Sequence, residues 1–167
     1  REYADKMFGE RHQPNSLAEI LSTQEYLEPP ARLFAERIAK LITEAIPLAF
    51  KTRLPSNEKE VQDHVESLMK GDSEELSREF PHVNFALGST VPDFSLSVPC
   101  VYIEVKYIRG KTTPSKASAG IAEDCTKYPK EAFLLFILYD PERQIKDDKA
   151  FADSFEQKRA CLIRLVR

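Results

Sequence analysis

Excess positive charge, paired cysteines and long apolar runs are what this 167-residue sequence lacks. Its formal net charge is −3 and its sequence pI about 5.7. A protein that binds nucleic acid regardless of sequence is usually basic, because neutralising phosphates drives its affinity. Global charge therefore gives no nucleic-acid signal, and any such activity must come from a local site. The cysteines Cys100, Cys125 and Cys161 are odd in number, far apart and without a Cys-x-x-Cys pair. That argues against a disulfide framework and a structural zinc site, and it fits a reducing, cytoplasmic compartment. No apolar run reaches the roughly 18 residues that span a bilayer, and no signal-peptide pattern opens the chain, so no membrane partner is expected. His12, His64 and His82 are isolated in sequence, which leaves Cys/His nucleophilic chemistry without support. Internal repeats and low-complexity tracts are absent. The sequence opens on Arg1 and stops at Arg167 inside an apolar stretch, as expected of a domain from a longer protein.

What is present is a helical first third and a strand-rich remainder. Leu33, Phe34, Ile38, Leu41, Ile42, Ala45 and Ile46 recur at three- and four-residue steps, the pattern of a helix with one buried stripe. Pro29 and Pro30 mark its start, and Pro47 is expected to end or kink it. Leu17 to Leu27 reads as a shorter helix. After Pro55, Ser56 or Asn57 can cap a helix running to about Met69, stopped at Gly71-Asp72-Ser73. A strand signal at Val83, Phe85 and Leu87 ends at Gly88-Ser89-Thr90, and Phe94 to Val98 alternates apolar and polar. Val101 to Ile108 is rich in β-branched and aromatic residues. Residues 110–116 read as loop, about Ser118 to Tyr128 as helix, and Phe133 to Tyr139 as a strand covered on both faces. Lys149 to Lys158 reads as helix and Ala160 to Val166 as a last strand. The expected fold is α/β: a mixed central β-sheet flanked by helices, with residues 1–54 as a helical extension for interaction or linkage and 55–167 as the functional domain.

Strand alternation puts Tyr102, Glu104 and Lys106 on one face and Val101, Ile103 and Val105 on the other. The second face suits a core. The first sets an acid beside a base in an otherwise apolar strand, where a charge is costly unless paired or bound to a metal. Asp93 begins the preceding strand, and a turn near Pro99 folds it back towards Glu104 and Lys106. Two carboxylates and a lysine at one spot suit phosphodiester hydrolysis. Mg²⁺ takes hard oxygen ligands, one or two of them carboxylates, and makes both the scissile phosphate and a bound water more reactive. Lys106 can orient or deprotonate that water, or stabilise charge on the phosphate. The backbone carbonyl of Val105 is a further candidate ligand. The plain alternative is a cross-strand salt bridge on a solvated sheet face.

Pro92-Asp93, ten residues, then Glu104-Val105-Lys106 resembles the PD-(D/E)xK motif of the restriction-endonuclease-like nuclease superfamily. Flanking residues resemble its DpnII/MboI-type branch: Glu60-Val61-Gln62-Asp63, Val91-Pro92-Asp93-Phe94, Tyr102 to Lys106, Ile121 to Tyr128, and Leu138-Tyr139-Asp140-Pro141-Glu142. The resemblance spans Asn57 to Arg167. It implies Asp93 and Glu104 as metal ligands, Lys106 as catalytic lysine, and Mg²⁺ as cofactor with Mn²⁺ able to substitute. It also implies an endonuclease of a restriction or phage-defence system, acting on DNA in preference to RNA. Such nucleases often add an acid or glutamine from the helix before the sheet. Glu58 and Gln62 both border the apolar stripe of Val61, Val65, Leu68 and Met69, whereas Glu60 lies opposite. Gln62 is favoured by the sequence match and Glu58 by the chemistry, and the pattern does not separate them. Asp124 and Lys127 edge the later helix as auxiliary candidates, and Arg109, Lys111 and Lys116 are candidate phosphate contacts. A homo-oligomer is an expected partner arrangement, since nucleases that cut both strands often act as pairs. A competing expectation is a catalytically silent fold that binds nucleic acid or protein.

Overall fold

The computed structural model describes residues 29–71 and 75–167. The helix expected over Leu17 to Leu27 and the stop at Asp72-Ser73 lie outside the described residues. Eleven elements follow in order: α1 (Pro30–Ala49), α2 (Glu58–Lys70), β1 (Ser77–Arg78), β2 (Val83–Phe85), β3 (Gly88–Thr90), β4 (Phe94–Leu96), β5 (Val101–Tyr107), α3 (Pro114–Lys127), β6 (Phe133–Tyr139), α4 (Asp148–Glu156) and β7 (Cys161–Val166). Five strands form one mixed sheet in the order β1-β4-β5-β6-β7, and β2 and β3 form a separate two-stranded hairpin. β4 runs antiparallel to β1 and β5, while β5, β6 and β7 are parallel, joined through α3 and α4. Parallel neighbours need such crossovers, and helices supply them.

Each face of the sheet carries its own core. Val101, Ile103, Val105 and Tyr107 of β5 join Phe133, Leu135, Ile137 and Tyr139 of β6 beneath α1 and α2. Leu134, Phe136, Leu138 and Tyr102 face the opposite way, under Ala117, Ile121 and Tyr128 and against Phe151 and Phe155 of α4. β6 is buried throughout, as an apolar strand covered on both faces must be. The stripe of α1 (Ala35, Ile38, Ala39, Ile42, Ile46) lies in the first of these cores. The expected division at 54/55 falls in the loop between α1 and α2.

Local chemistry explains several boundaries. Asn57 caps α2 by accepting from the Glu60 N–H at 2.9 Å, and Glu60 reaches back to accept from the Ser56 N–H at 2.7 Å. Pro47 does not end α1, which continues to Ala49. A proline in the last turn forfeits one bond, and the Phe50 N–H still reaches the Ile46 carbonyl at 3.2 Å. α3 starts at Pro114 rather than near Ser118, because Thr113 caps it and Pro114 occupies its first turn. Lys116 therefore sits on a helix and not in a loop. Gly88 to Thr90 is itself a strand, and β1 was not anticipated. Among the described residues, no helix is long and apolar enough to cross a membrane.

Candidate active site

β4 is shorter than β5, and that mismatch opens the site. Register pairs Phe94 with Ile103, Ser95 with Tyr102 and Leu96 with Val101. Beyond Ile103 the β4-side edge of β5 has no strand partner, yet its amides are buried and need acceptors. Side chains supply them. Asp93 Oδ2 accepts from the Val105 N–H at 2.7 Å, and Glu58 Oε2 accepts from the Tyr107 N–H at 3.0 Å. A residue's N–H and C=O leave a strand on the same side, so the Val105 carbonyl shares this edge with Asp93 and Glu58.

Asp93, one residue before Phe94, stands opposite Glu104. Glu104 is only 6% exposed, and its neighbours come from several elements. Lys106 Nζ lies 3.5 Å from Glu104 Oε2 and 3.8 Å from Asp124 Oδ2 of α3. The Tyr128 hydroxyl donates to Glu104 Oε1, and Thr90 is a polar neighbour of Tyr128. Gln62 is a polar neighbour of Asp93. The α2 helix thus places both of its candidates at the site, Gln62 against Asp93 and Glu58 one turn earlier against the strand edge.

The electrostatics of this cluster are lopsided. Four carboxylates (Glu58, Asp93, Glu104, Asp124) act on the single ammonium of Lys106. Burial pushes Glu104 up to about 8, with the Asp93 charge adding to the shift and Lys106 opposing it. Burial also raises Asp93, against the pull of the Val105 N–H and of Lys106. Glu58 is raised by burial against its Tyr107 hydrogen bond, and Asp124 by burial against Lys106. Burial would lower Lys106, but the surrounding carboxylates more than offset it and its pKa is raised. The Tyr128 phenol is raised by burial and by Glu104, so it stays a donor. One lysine does not balance the acids gathered here, and that is a donor set with room for a further positive charge.

Other residues singled out from the sequence fall at the rim or outside. Lys127 pairs with Glu123 on the outer face of α3. Arg109 is exposed and donates to the Tyr107 hydroxyl at 3.2 Å and to the Pro55 carbonyl at 3.4 Å. With Ser56, Asn57, Glu58, Gly110 and Thr112 it lines a cavity of about 360 Å³ beside the strand edge. Lys111 and Lys116 are exposed. Tyr128 and Thr90 were not identified as site residues. The signal for Tyr128 was its position four residues after Asp124, one helical turn further along the same face. Thr90 had no such signal, because its approach depends on how the hairpin folds back.

Residues 51–164 match the family model described as REase_DpnII-MboI. The chain belongs to the DpnII-MboI restriction endonuclease family. No curated protein and no solved structure matches it. The matched span of this DpnII-MboI family member contains Glu58, Gln62, Asp93, Glu104, Lys106, Asp124 and Tyr128. Membership supports the class of DNA endonuclease, a hydrolase of restriction type. Among the described residues no three His, Cys, Asp or Glu side chains form a ready-made metal cage. Mg²⁺ does not require one, since it commonly takes one or two protein carboxylates and completes its shell with water and phosphate. Asp93, Glu104 and the Val105 carbonyl are the hard oxygen donors that fit such an ion.

Proposed function

We propose that this chain hydrolyses DNA phosphodiester bonds at the Asp93–Glu104–Lys106 site with Mg²⁺, serving as the cutting domain of a restriction or phage-defence system. The observation that carries the proposal is the excess of raised, buried carboxylates around one lysine at an open strand edge. Asp93, Glu104 and the Val105 carbonyl are the ligand set, and Mn²⁺ fits the same oxygens. When bound, the ion supplies Lewis acidity to the scissile phosphate and lowers the pKa of a water. The chain's own residues do the rest. Lys106 keeps its proton at neutral pH, so it acts as a donor that orients the attacking water and offsets charge developing on the phosphate, rather than as a base. Tyr128 fixes one oxygen of Glu104, and Gln62 stands beside Asp93 as a polar neighbour. Arg109, Lys111 and Lys116 supply phosphate contacts beside the site, which a chain of net negative charge needs locally.

The test is incubation of plasmid, linear duplex and RNA with the protein in Mg²⁺ or Mn²⁺, with and without chelator. Metal-dependent cutting of DNA that is lost in Asp93→Ala is the expected result. DNA binding with no cutting under any of these conditions would instead indicate a silent binding fold. An Asp93→Ala protein that cuts like the native one would show that the site is misassigned.

A further inference from the structure

The β2–β3 hairpin is the one element of the described structure that belongs to neither sheet face. It pairs only with itself, Val83 with Thr90 and Phe85 with Gly88. Its base is anchored: Val83 packs on the core beneath α3, and Thr90 is a polar neighbour of Tyr128, whose hydroxyl holds Glu104. Its tip is bare. Phe85 is 41% exposed and Leu87 fully so. Single exposed apolar residues are ordinary and need no explanation. Here three further observations coincide.

The first is charge. Residues 80–92 hold no Asp, Glu, Lys or Arg, in a chain with 27 acidic residues. The hairpin is therefore an acid-free approach to an acidic site, and a polyanion can lie against it without repulsion. The second is reach. Leu87 precedes Asp93 by six residues, so at about 3.4 Å per residue the tip cannot lie more than roughly 20 Å along the chain from the candidate metal ligand. That length lets the tip reach a duplex whose scissile phosphate sits at Asp93 and Glu104. The third is backbone conformation. Ala86, at the turn, has φ of 51°, a left-handed position that favours glycine. A side chain there costs about 1 kcal/mol, and the strain fixes how Phe85 and Leu87 are presented on either side of it.

We infer that the hairpin is a DNA wedge, in which Phe85 and Leu87 enter a base step next to the scissile phosphate and unstack it. Apolar wedges of Phe and Leu are an established way for proteins to open a base step and kink a duplex. The favoured substrate class is duplex DNA that yields easily at that step, by flexible sequence or by mispairing. The base of the hairpin, at Thr90, adjoins Tyr128, whose hydroxyl holds Glu104 of the proposed reaction centre. This inference rests on the nuclease reading of the site for the position of the DNA, and the experiment separates the two.

The chain contains no tryptophan, so Leu87→Trp in the full chain gives a single fluorophore at the tip. It is titrated in Ca²⁺ with two probes: a pool of random-sequence 40-base-pair duplexes, and the same pool carrying a central two-base mismatch. Cutting of both pools in Mg²⁺ by the native chain is scored separately. The wedge predicts that the indole is quenched by half or more and shielded from acrylamide, as stacking on bases requires. It also predicts that the native chain binds the mismatched pool at least threefold more tightly. Phe85→Ser combined with Leu87→Ser abolishes that preference and leaves the salt dependence of binding unchanged, because no charge is removed. Binding without quenching overturns the wedge, even if DNA is cut. So does emission that changes with protein concentration in the absence of DNA, which would make the tip a contact between copies. Quenching without cutting overturns the nuclease reading and leaves the wedge standing. A chain that neither binds nor cuts either probe overturns both.

Discussion

Glu104 on β5 and Asp140 just past the end of β6 are both buried acids, and their surroundings differ in kind. Asp140, fully buried after β6, accepts from the Gln144 and Ile145 amides at 2.9 and 3.0 Å and meets Arg167 at 3.4 Å. Its charge is answered by donors that the chain folds around it, and the turn after β6 is held closed as a result. Glu104 is answered by one lysine at 3.5 Å and one phenol, while Asp93 and Asp124 add to its burden. Burying a charge is tolerable only with such compensation. The fold satisfies Asp140 completely and leaves Glu104 short, which is the contrast that the proposed metal site rests on.

Alanine substitution at each should break the comparison most visibly. Glu104→Ala should lower metal-dependent DNA cleavage by about a thousandfold or more while circular dichroism stays native. Asp140→Ala should do the reverse: it costs about 3 kcal/mol of stability by leaving the Gln144 and Ile145 amides without their acceptor, with cleavage per folded molecule intact. Equal effects of the two substitutions on folding and cleavage would erase the distinction. Next in size is Lys106→Ala, expected to slow cleavage by about a hundredfold with little change in Mg²⁺ affinity. A loss of metal affinity in place of rate would move Lys106 out of the catalytic role.

A pH series sharpens the electrostatic half of the contrast. In the folded, metal-free protein Glu104 titrates near 8 against an ordinary value of 4.5. Its raised value favours the folded state fully below 4.5, where both states hold the proton. That advantage fades as the pH rises to 8, because the unfolded chain ionises first. In chelator, Glu104→Gln should therefore match the native melting temperature at pH 4 and exceed it by a margin that grows up to pH 8, worth about 1–3 kcal/mol. A margin that shrinks with rising pH would contradict the assignment. The smallest effect is reserved for Tyr128→Phe, which removes one donor from Glu104. It should slow cleavage by roughly tenfold, the scale of one hydrogen bond, without altering the core. An unchanged rate would make Tyr128 a packing residue only.

Much of this was readable from residue order. The period of α1, the β-branched run of β5 and the apolar run of β6 each have one physical solution, and alternation alone put Glu104 and Lys106 on a common face. Asp93 opposite Glu104 followed from the turn at Pro99. The choice between Glu58 and Gln62 was not readable, because it depends on β4 starting late enough, at Phe94, to leave two β5 amides for side chains to satisfy. Glu58 satisfies one of those amides and Asp93 the other, with Gln62 beside Asp93. The start of α3 was misjudged because a Lys/Thr/Pro/Ser stretch reads as loop until the Thr113 cap is recognised. β1 is two residues long and has no periodicity to detect. Thr90 and Tyr128 meet through a hairpin whose placement no local pattern encodes.

The most direct measurement is Mn²⁺ binding, by calorimetry or by the loss of free-ion paramagnetic resonance signal, for the native protein, Asp93→Asn, Glu104→Gln and Asp140→Asn. The account predicts that the native protein and folded Asp140→Asn bind the ion at one saturable site and that Asp93→Asn and Glu104→Gln do not. Binding of equal strength in Glu104→Gln and the native protein would contradict it.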